Sequence, residues 1–305
     1  MADYTRLTPD DIAAILTHYD LGRLDAAVPL EGGQANSSYR LTTSGGEFTL
    51  SVCDEKGPDD IRILTRVMSC LEALDFPTPR LVTPTGEESF IVYRSKPVYV
   101  KTFLRGRVRQ DLTPAMAGQV GRALARLHAV PVPEGLPPAF PYGLKMFREL
   151  PDTAHPFTSW LSRKIRYLET ALDLSMPRGF IHGDIYWDNL LFDGDRLTAV
   201  LDFEEACRYY LLFDLGMACV GCCAGPDGLD VERMSALMRG YRTARPLSGP
   251  EKEQFRPFLV YAAAAGAFWR FRQYNIRHPD PEKADNYLEL ARLADLAEEE
   301  ELSVF

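Results

Sequence analysis

One stretch, GFIHGDIYWDNLLFDGDRLTAVLDFEE (residues 179–205), restricts the fold more than any other part of the chain. Asp193-Gly194-Asp195 is a turn signal between two apolar runs, Leu190-Leu191-Phe192 and Leu197 to Leu201, so the segment predicts a β-hairpin. Residues flanking the open end of an antiparallel hairpin lie side by side. Asn189, just before the first strand, is therefore expected beside Asp202, just after the second. A carboxylate next to an amide oxygen suits a hard cation such as Mg²⁺.

The flanking chain predicts two kinds of structure. Thr8-Pro9-Asp10-Asp11 is a helix start, with a threonine cap, proline in the first turn and acids behind it. Ser38 to Thr43 and Phe48 to Val52 read as strands around a Ser44-Gly45-Gly46 turn, and residues 89–93 and 97–103 as a second pair. Pro58 to Leu74 separates them as a helix. After Arg105-Gly106-Arg107 helices dominate: Pro114 to His128, then 158–173, 210–223, 230–241, 250–276 and 282–299. The expected fold class is α+β and two-lobed, with a small antiparallel-sheet lobe over residues 1–104 and a larger helical lobe over 105–305.

The chain has 305 residues and a net charge of −9, which argues against a nucleic-acid partner because phosphate backbones need a basic surface. The longest apolar run, Phe258 to Trp269, is too short to span a bilayer and reads as a buried helix. The N-terminus shows no secretory pattern, so the expected location is the cytoplasm, without membrane partners. Six cysteines without regular spacing read as free thiols. The C-x-x-C of Cys219 and Cys222 lies in an apolar stretch and reads as core.

Asp184 and Asn189 complete an H-x-D-x-x-x-x-N, the spacing of the protein-kinase catalytic loop, and Asp202-Phe203 falls where a metal-binding Asp-Phe follows. Phosphoryl transfer asks for metals on the phosphates and a group that orients the attacking oxygen. Together with LARLH ending at His128, PTP at Pro77 to Pro79 and FDLG at Phe213 to Gly216, these residues resemble the aminoglycoside phosphotransferase and choline kinase superfamily of protein-kinase-like small-molecule kinases. Within it the likeness is greatest to the type II homoserine kinase group, and it covers nearly the whole chain.

That resemblance implies ATP and Mg²⁺ as cofactors and a small-molecule hydroxyl as acceptor, in a monomer or homodimer. It implies Asp184 as catalytic base, with His182 in the same loop and expected to hold it. Asn189 and Asp202 would bind the metal and Asp214 would anchor the loop. Gly32, Gly33 and Asn36 would cover the phosphates, and Thr102 and Leu104 would flank the adenine hinge. Ser51 stands where the kinase fold carries its phosphate-binding lysine, which leaves Lys101 or Lys56 to supply the charge. Asp59 and Asp60 are candidates for the acid that pairs with such a lysine, and equally for helix N-terminal acids. His128 reads as structural.

Homoserine is the favoured acceptor, with choline, ethanolamine, hydroxylysine and aminoglycosides as alternatives. Glu204 could face a substrate amine, with Asp202 and Glu205 nearby. Tyr186, Trp187 and Trp269 could form an aromatic wall, and Arg272, Arg270 or Arg277 could take a carboxylate. The serine at the lysine position also allows a non-catalytic nucleotide-binding pseudokinase.

Overall fold

A computed structural model describes residues 5–30, 36–150, 155–299 and 304. The chain divides into two compact units, Met1–Arg105 with Pro133–Gly135, and Gly106–Val132 with Leu136–Phe305.

The first unit begins with α1 (Pro9–Leu16), where the Thr8 hydroxyl accepts from the Asp11 N–H and the Asp11 carboxylate accepts from the Thr8 N–H. Then follow β1 (Leu24–Leu30), β2 (Asn36–Thr43), β3 (Gly46–Cys53), α2 (Pro58–Ala73), β4 (Leu81–Val82), β5 (Ile91–Tyr93) and β6 (Lys96–Thr102). All pairings are antiparallel, in the order β1-β2-β3-β6-β4 with β5 also on β6. β1 escapes sequence reading because LDAAVPL has little alternation and contains a proline. It survives as an edge strand, where a missing N–H costs no ladder bond.

Alternation gives this sheet two different faces. Leu41, Leu50, Val52, Val98 and Val100 pack with Ile12 and Ile15 of α1 into an apolar core. The other face carries two polar cross-strand rows. Ser38, Ser51 and Tyr99 form one, and Arg40, Thr49 and Lys101 the next.

The second unit contains α3 (Pro114–His128), α4 (Leu144–Glu149), α5 (Pro156–Ala171), β7 (Arg178–Ile181), β8 (Leu190–Asp193), β9 (Arg196–Val200), β10 (Cys207–Tyr210), α6 (Leu211–Cys223), α7 (Val231–Arg242), α8 (Gly249–Arg272) and α9 (Tyr287–Glu299). Every residue of α6 is buried, Cys219, Cys222 and Cys223 among them, as expected of a helix apolar on all sides. The apolar run of α8 lies in the same core, with Phe258, Leu259 and Ala262 fully enclosed. No helix among the described residues is long and apolar enough to cross a membrane.

Two helix expectations need correction. The helix expected over 250–276 is α-helical only to Arg272 and closes in a wider turn, where the His278 N–H reaches back to the Gln273 carbonyl. The helix expected from residue 282 begins at Tyr287. The side-chain amide of Asn275 donates to the Ala284 carbonyl at 2.9 Å, and the Lys283 and Asn286 N–H groups make tight turns onto Asp280 and Lys283. The expected loop from residue 180 is, up to Ile181, part of β7, paired with β10 through Ile181↔Cys207. Four-residue strands this far apart in sequence leave no local periodic signal.

Candidate active site

The β7–β10 pair brackets the candidate site, since everything from His182 to Ala206 leaves from one strand and returns to the other. The loop after β7 is pinned from below by Asp214, near the start of α6 and fully buried. Its carboxylate accepts the His182 N–H at 2.9 Å, the Gly183 N–H at 2.8 Å and the His128 Nε2–H at 3.0 Å. Burial alone would raise this carboxyl. The hydrogen bond and charge of His128, with His182 and the Gly183 N–H, outweigh burial and hold it below its ordinary value. His128 is thus structural, and its Nδ1 lies 2.7 Å from the Tyr241 hydroxyl.

Gly183 turns the loop at φ +86°, and a Cβ there would stand 2.8 Å from the Glu205 carbonyl oxygen. Only glycine meets both conditions. His182 is fully enclosed beside it. Its Nε2 lies 2.8 Å from the Leu201 carbonyl and its Nδ1 accepts the Asp184 N–H at 3.2 Å. Burial pushes the imidazole down, toward the neutral form that this donor–acceptor pattern requires. The ring packs 4.5 Å from Phe203, so His182 ties the loop to the chain leaving β9.

The hairpin forms about the expected turn, but its register shifts by one residue between Leu191 and Phe192. Leu190 pairs with Val200, and the Leu201 N–H donates to the Asn189 carbonyl at 2.8 Å, which brings Asp202 next to Asn189. The Asn189 side-chain amide donates to both the carbonyl and Oδ2 of Asp184, each at 2.9 Å. Its Oδ1 keeps no hydrogen-bond partner among the described residues. Asp202 adopts φ +59°, a left-handed conformation that aspartate tolerates better than most residues. Enclosure, then the charges of Asp202, Asp188 and Glu205, push the Asp184 carboxyl up to about 8 against the opposing bond from Asn189. Carboxylates are thus crowded around one oxygen acceptor.

Residues 26–247 match the model of a phosphotransferase enzyme family. The chain belongs to that family. It is an enzyme of phosphoryl transfer to small molecules. The homoserine kinase of Pseudomonas aeruginosa (strain LESB58) is 29% identical over 282 residues, covering 89% of this chain and 88% of its own. That of Rhodopseudomonas palustris (strain BisB18) is 30% identical over 274 residues, 87% and 84% of the two chains. Among solved structures, a microcompartment-associated aminopropanol kinase superposes with a TM-score of 0.74 at 21% identity, over 94% of this chain and 96% of that one. These neighbours share the protein-kinase-like fold.

A divalent ion fits this phosphotransferase by the chemistry of its donors. Among the described residues no group of three His, Cys, Asp or Glu side chains forms a closed cage. The free Oδ1 of Asn189 and the exposed Asp202 carboxylate are two oxygen donors beside surplus negative charge. That suits Mg²⁺, which binds through one or two carboxylates with phosphates and water completing its shell.

The remaining expected site residues fall in several places. Tyr186 ends the loop after β7, Trp187 opens the short turn Trp187–Asn189, and the Glu204 N–H donates to Asp202 Oδ1 at 3.3 Å. Trp269 packs edge-on against Tyr274, and Arg272 closes α8. Gly32 and Gly33 lie outside the described residues. Asn36 opens β2, and Thr102 at the end of β6 is bonded to Arg80 through both its N–H and its hydroxyl. Leu104 follows, half-buried. Asp59 pairs with Arg62, and Asp60 accepts the Gly57 N–H at the start of α2, so both serve their own helix. Ser51 is sealed, 3.2 Å from the Ser38 hydroxyl. Lys101 stands on that same sheet face, 5.5 Å over the Tyr99 ring, with no carboxylate partner among the described residues.

Sequence reading missed Asp188 and Glu205 as charges acting on Asp184. It also missed the seat of the loop. A Cβ on Gly221 of α6 would lie 2.3 Å from the Ile185 carbonyl oxygen, and one on Gly266 of α8 would lie 2.8 Å from the Tyr186 hydroxyl. Both helices therefore meet the loop with bare backbone.

Proposed function

We propose that the chain is a cytoplasmic homoserine kinase, transferring the γ-phosphate of ATP to the homoserine hydroxyl with Mg²⁺. The observation that supports this reading is the Asn189 amide, which donates to Asp184 while its own oxygen stays unpartnered, with Asp202 following the Leu201 that pairs with Asn189. Bound Mg²⁺ would neutralise charge on the phosphates. Asp184 orients the acceptor hydroxyl and takes its proton, held at the right angle by Asn189 and by the His182–Leu201 tie. Asn189 and Asp202 supply the protein's share of the metal shell. The curated relatives, similar over nearly their full length, support homoserine as acceptor.

An ADP-release assay over homoserine, choline, ethanolamine, hydroxylysine and an aminoglycoside tests it. Homoserine should exceed every other acceptor in kcat/KM by about tenfold or more, the ratio that one additional charged contact provides. Preference for any other member of the panel overturns the assignment.

The nucleotide-holding residues in this reading are Gly32, Gly33, Asn36, Lys101, Thr102 and Leu104, with Lys101 standing in for the absent lysine at Ser51. Lys101→Met should raise the KM for ATP about 10- to 100-fold, the worth of a charge-assisted phosphate contact, without shifting the melting temperature. An unchanged KM assigns the cation elsewhere.

A further inference from the structure

α8 passes the catalytic loop at Gly266, where the Tyr186 hydroxyl abuts the helix backbone. One turn on, Arg270 shares the Gly266 stripe, because residues four apart lie on one helix face. Arg272 is six residues on, about 240° round the helix, and leaves that face. Arg270 and Asp184 both exert their charge on the Tyr186 phenol, and Arg270 also acts on Asp188. The cation and the candidate proton acceptor are thus both close enough to Tyr186 to act on it.

Arg270 is held before any ligand arrives. Its Nη1 donates to the Asn286 carbonyl at 2.9 Å and to Glu289 Oε2 at 2.6 Å, both at the start of α9. Its Nε and Nη2 have no hydrogen-bond partner among the described residues, and the side chain is 24% exposed. It makes no ion pair with Asp188. A guanidinium fixed by one nitrogen, with its Nε–Nη2 edge open, presents two parallel donors, the pattern that matches a carboxylate. The Tyr186 hydroxyl is sealed against α8 at Gly266 and without a hydrogen-bond partner among the described residues, so the ring itself offers a ligand no polar contact and leaves Arg270 as the polar handle.

We propose that Arg270, steadied by Glu289, binds the acceptor's carboxylate through its Nε–Nη2 edge and so selects hydroxy amino acids over plain amino alcohols. This rests on the kinase reading above, but its test is separable from the choice of homoserine.

The test compares kcat/KM for L-homoserine and for 3-aminopropanol, which replaces the carboxylate by hydrogen, in the wild type, Arg270→Gln and Arg270→Lys. Arg270→Gln should lower the homoserine value about 10- to 100-fold and leave the 3-aminopropanol value within about threefold. Arg270→Lys, a cation without the fork, should fall between. A purely structural clamp between α8 and α9 would depress both acceptors together, and that result, or no change in either, overturns the inference. Should Arg270→Gln fail to fold, Glu289→Gln, at a largely exposed carboxylate, should raise the KM for homoserine with kcat kept; an unchanged KM also overturns it. If the wild type prefers a different hydroxy amino acid, the homoserine assignment fails and Arg270 is judged on that acid and its decarboxylated partner. No turnover of any carboxylated acceptor overturns the inference, even when an uncarboxylated alcohol is phosphorylated.

Discussion

Asp184→Asn should lower kcat by about 10²- to 10⁴-fold, the usual worth of a positioned general base. The substitution keeps volume and hydrogen-bonding ability. An asparagine carbonyl can still accept from the Asn189 amide, as Oδ2 does now at 2.9 Å, and the backbone contact to the Asp184 carbonyl is untouched. The loop should therefore keep its shape, and nucleotide affinity measured by calorimetry should stay within about threefold, below 1 kcal/mol. The combination is diagnostic, because lost turnover with intact nucleotide binding isolates the proton acceptor from the phosphate-binding groups. A kcat within threefold of wild type would remove Asp184 from the chemistry.

Asp214→Asn should be the most destabilising isosteric change in the second unit, by about 3–5 kcal/mol, the cost of breaking a buried charged network from one side. Three donors converge on this carboxylate: the N–H groups of His182 and Gly183, and His128 Nε2. An amide offers one oxygen and turns an NH₂ toward donors that cannot accept it. All three tryptophans, Trp160, Trp187 and Trp269, lie in the second unit, so urea unfolding followed by their fluorescence reports it directly. An unchanged midpoint would show that the loop does not depend on this anchor. The pH dependence follows the sign of the shift. Because the folded carboxyl sits below its ordinary value of 3.8, its contribution is complete at neutral pH. It is lost as pH falls from there through the lower folded value. The Asn variant should lack that acid-limb loss.

The hairpin that carries the candidate site residues was legible because turn residues and apolar strand runs are local signals. Asp193-Gly194-Asp195 marks the turn, but a one-residue register shift between Leu191 and Phe192, which the sequence does not announce, is what sets Leu201 opposite Asn189 with Asp202 following. The helices α3, α6 and α8 were legible for the same local reason: caps, prolines and continuous apolar runs. What stayed hidden depends on distance in sequence. The β7–β10 pair joins residues such as Ile181 and Cys207 with no pattern of its own. The ends of α8 and α9 were set by Asn275 taking the Ala284 carbonyl, a tertiary contact. The choice among Arg270, Arg272 and Arg277 could not be made from sequence, since it turns on which helix stripe meets Tyr186. The serine at position 51 advertised a missing cation, but only the cross-strand register put Lys101 on its face.

The two bare helix surfaces under the loop carry a consequence for how this enzyme tolerates change. With no side chain between Gly221 and Ile185, or between Gly266 and Tyr186, there is no soft layer to absorb a displacement of the scaffold. A small shift of α6 is passed straight to the backbone of Ile185 and Tyr186, and one of α8 to the Tyr186 ring, so alignment of the loop that carries Asp184, rather than cohesion, is the first casualty of drift in the interior. The loop that carries Asp184 is mounted like a lens on a metal bench, accurate because it is uncushioned and sensitive for the same reason.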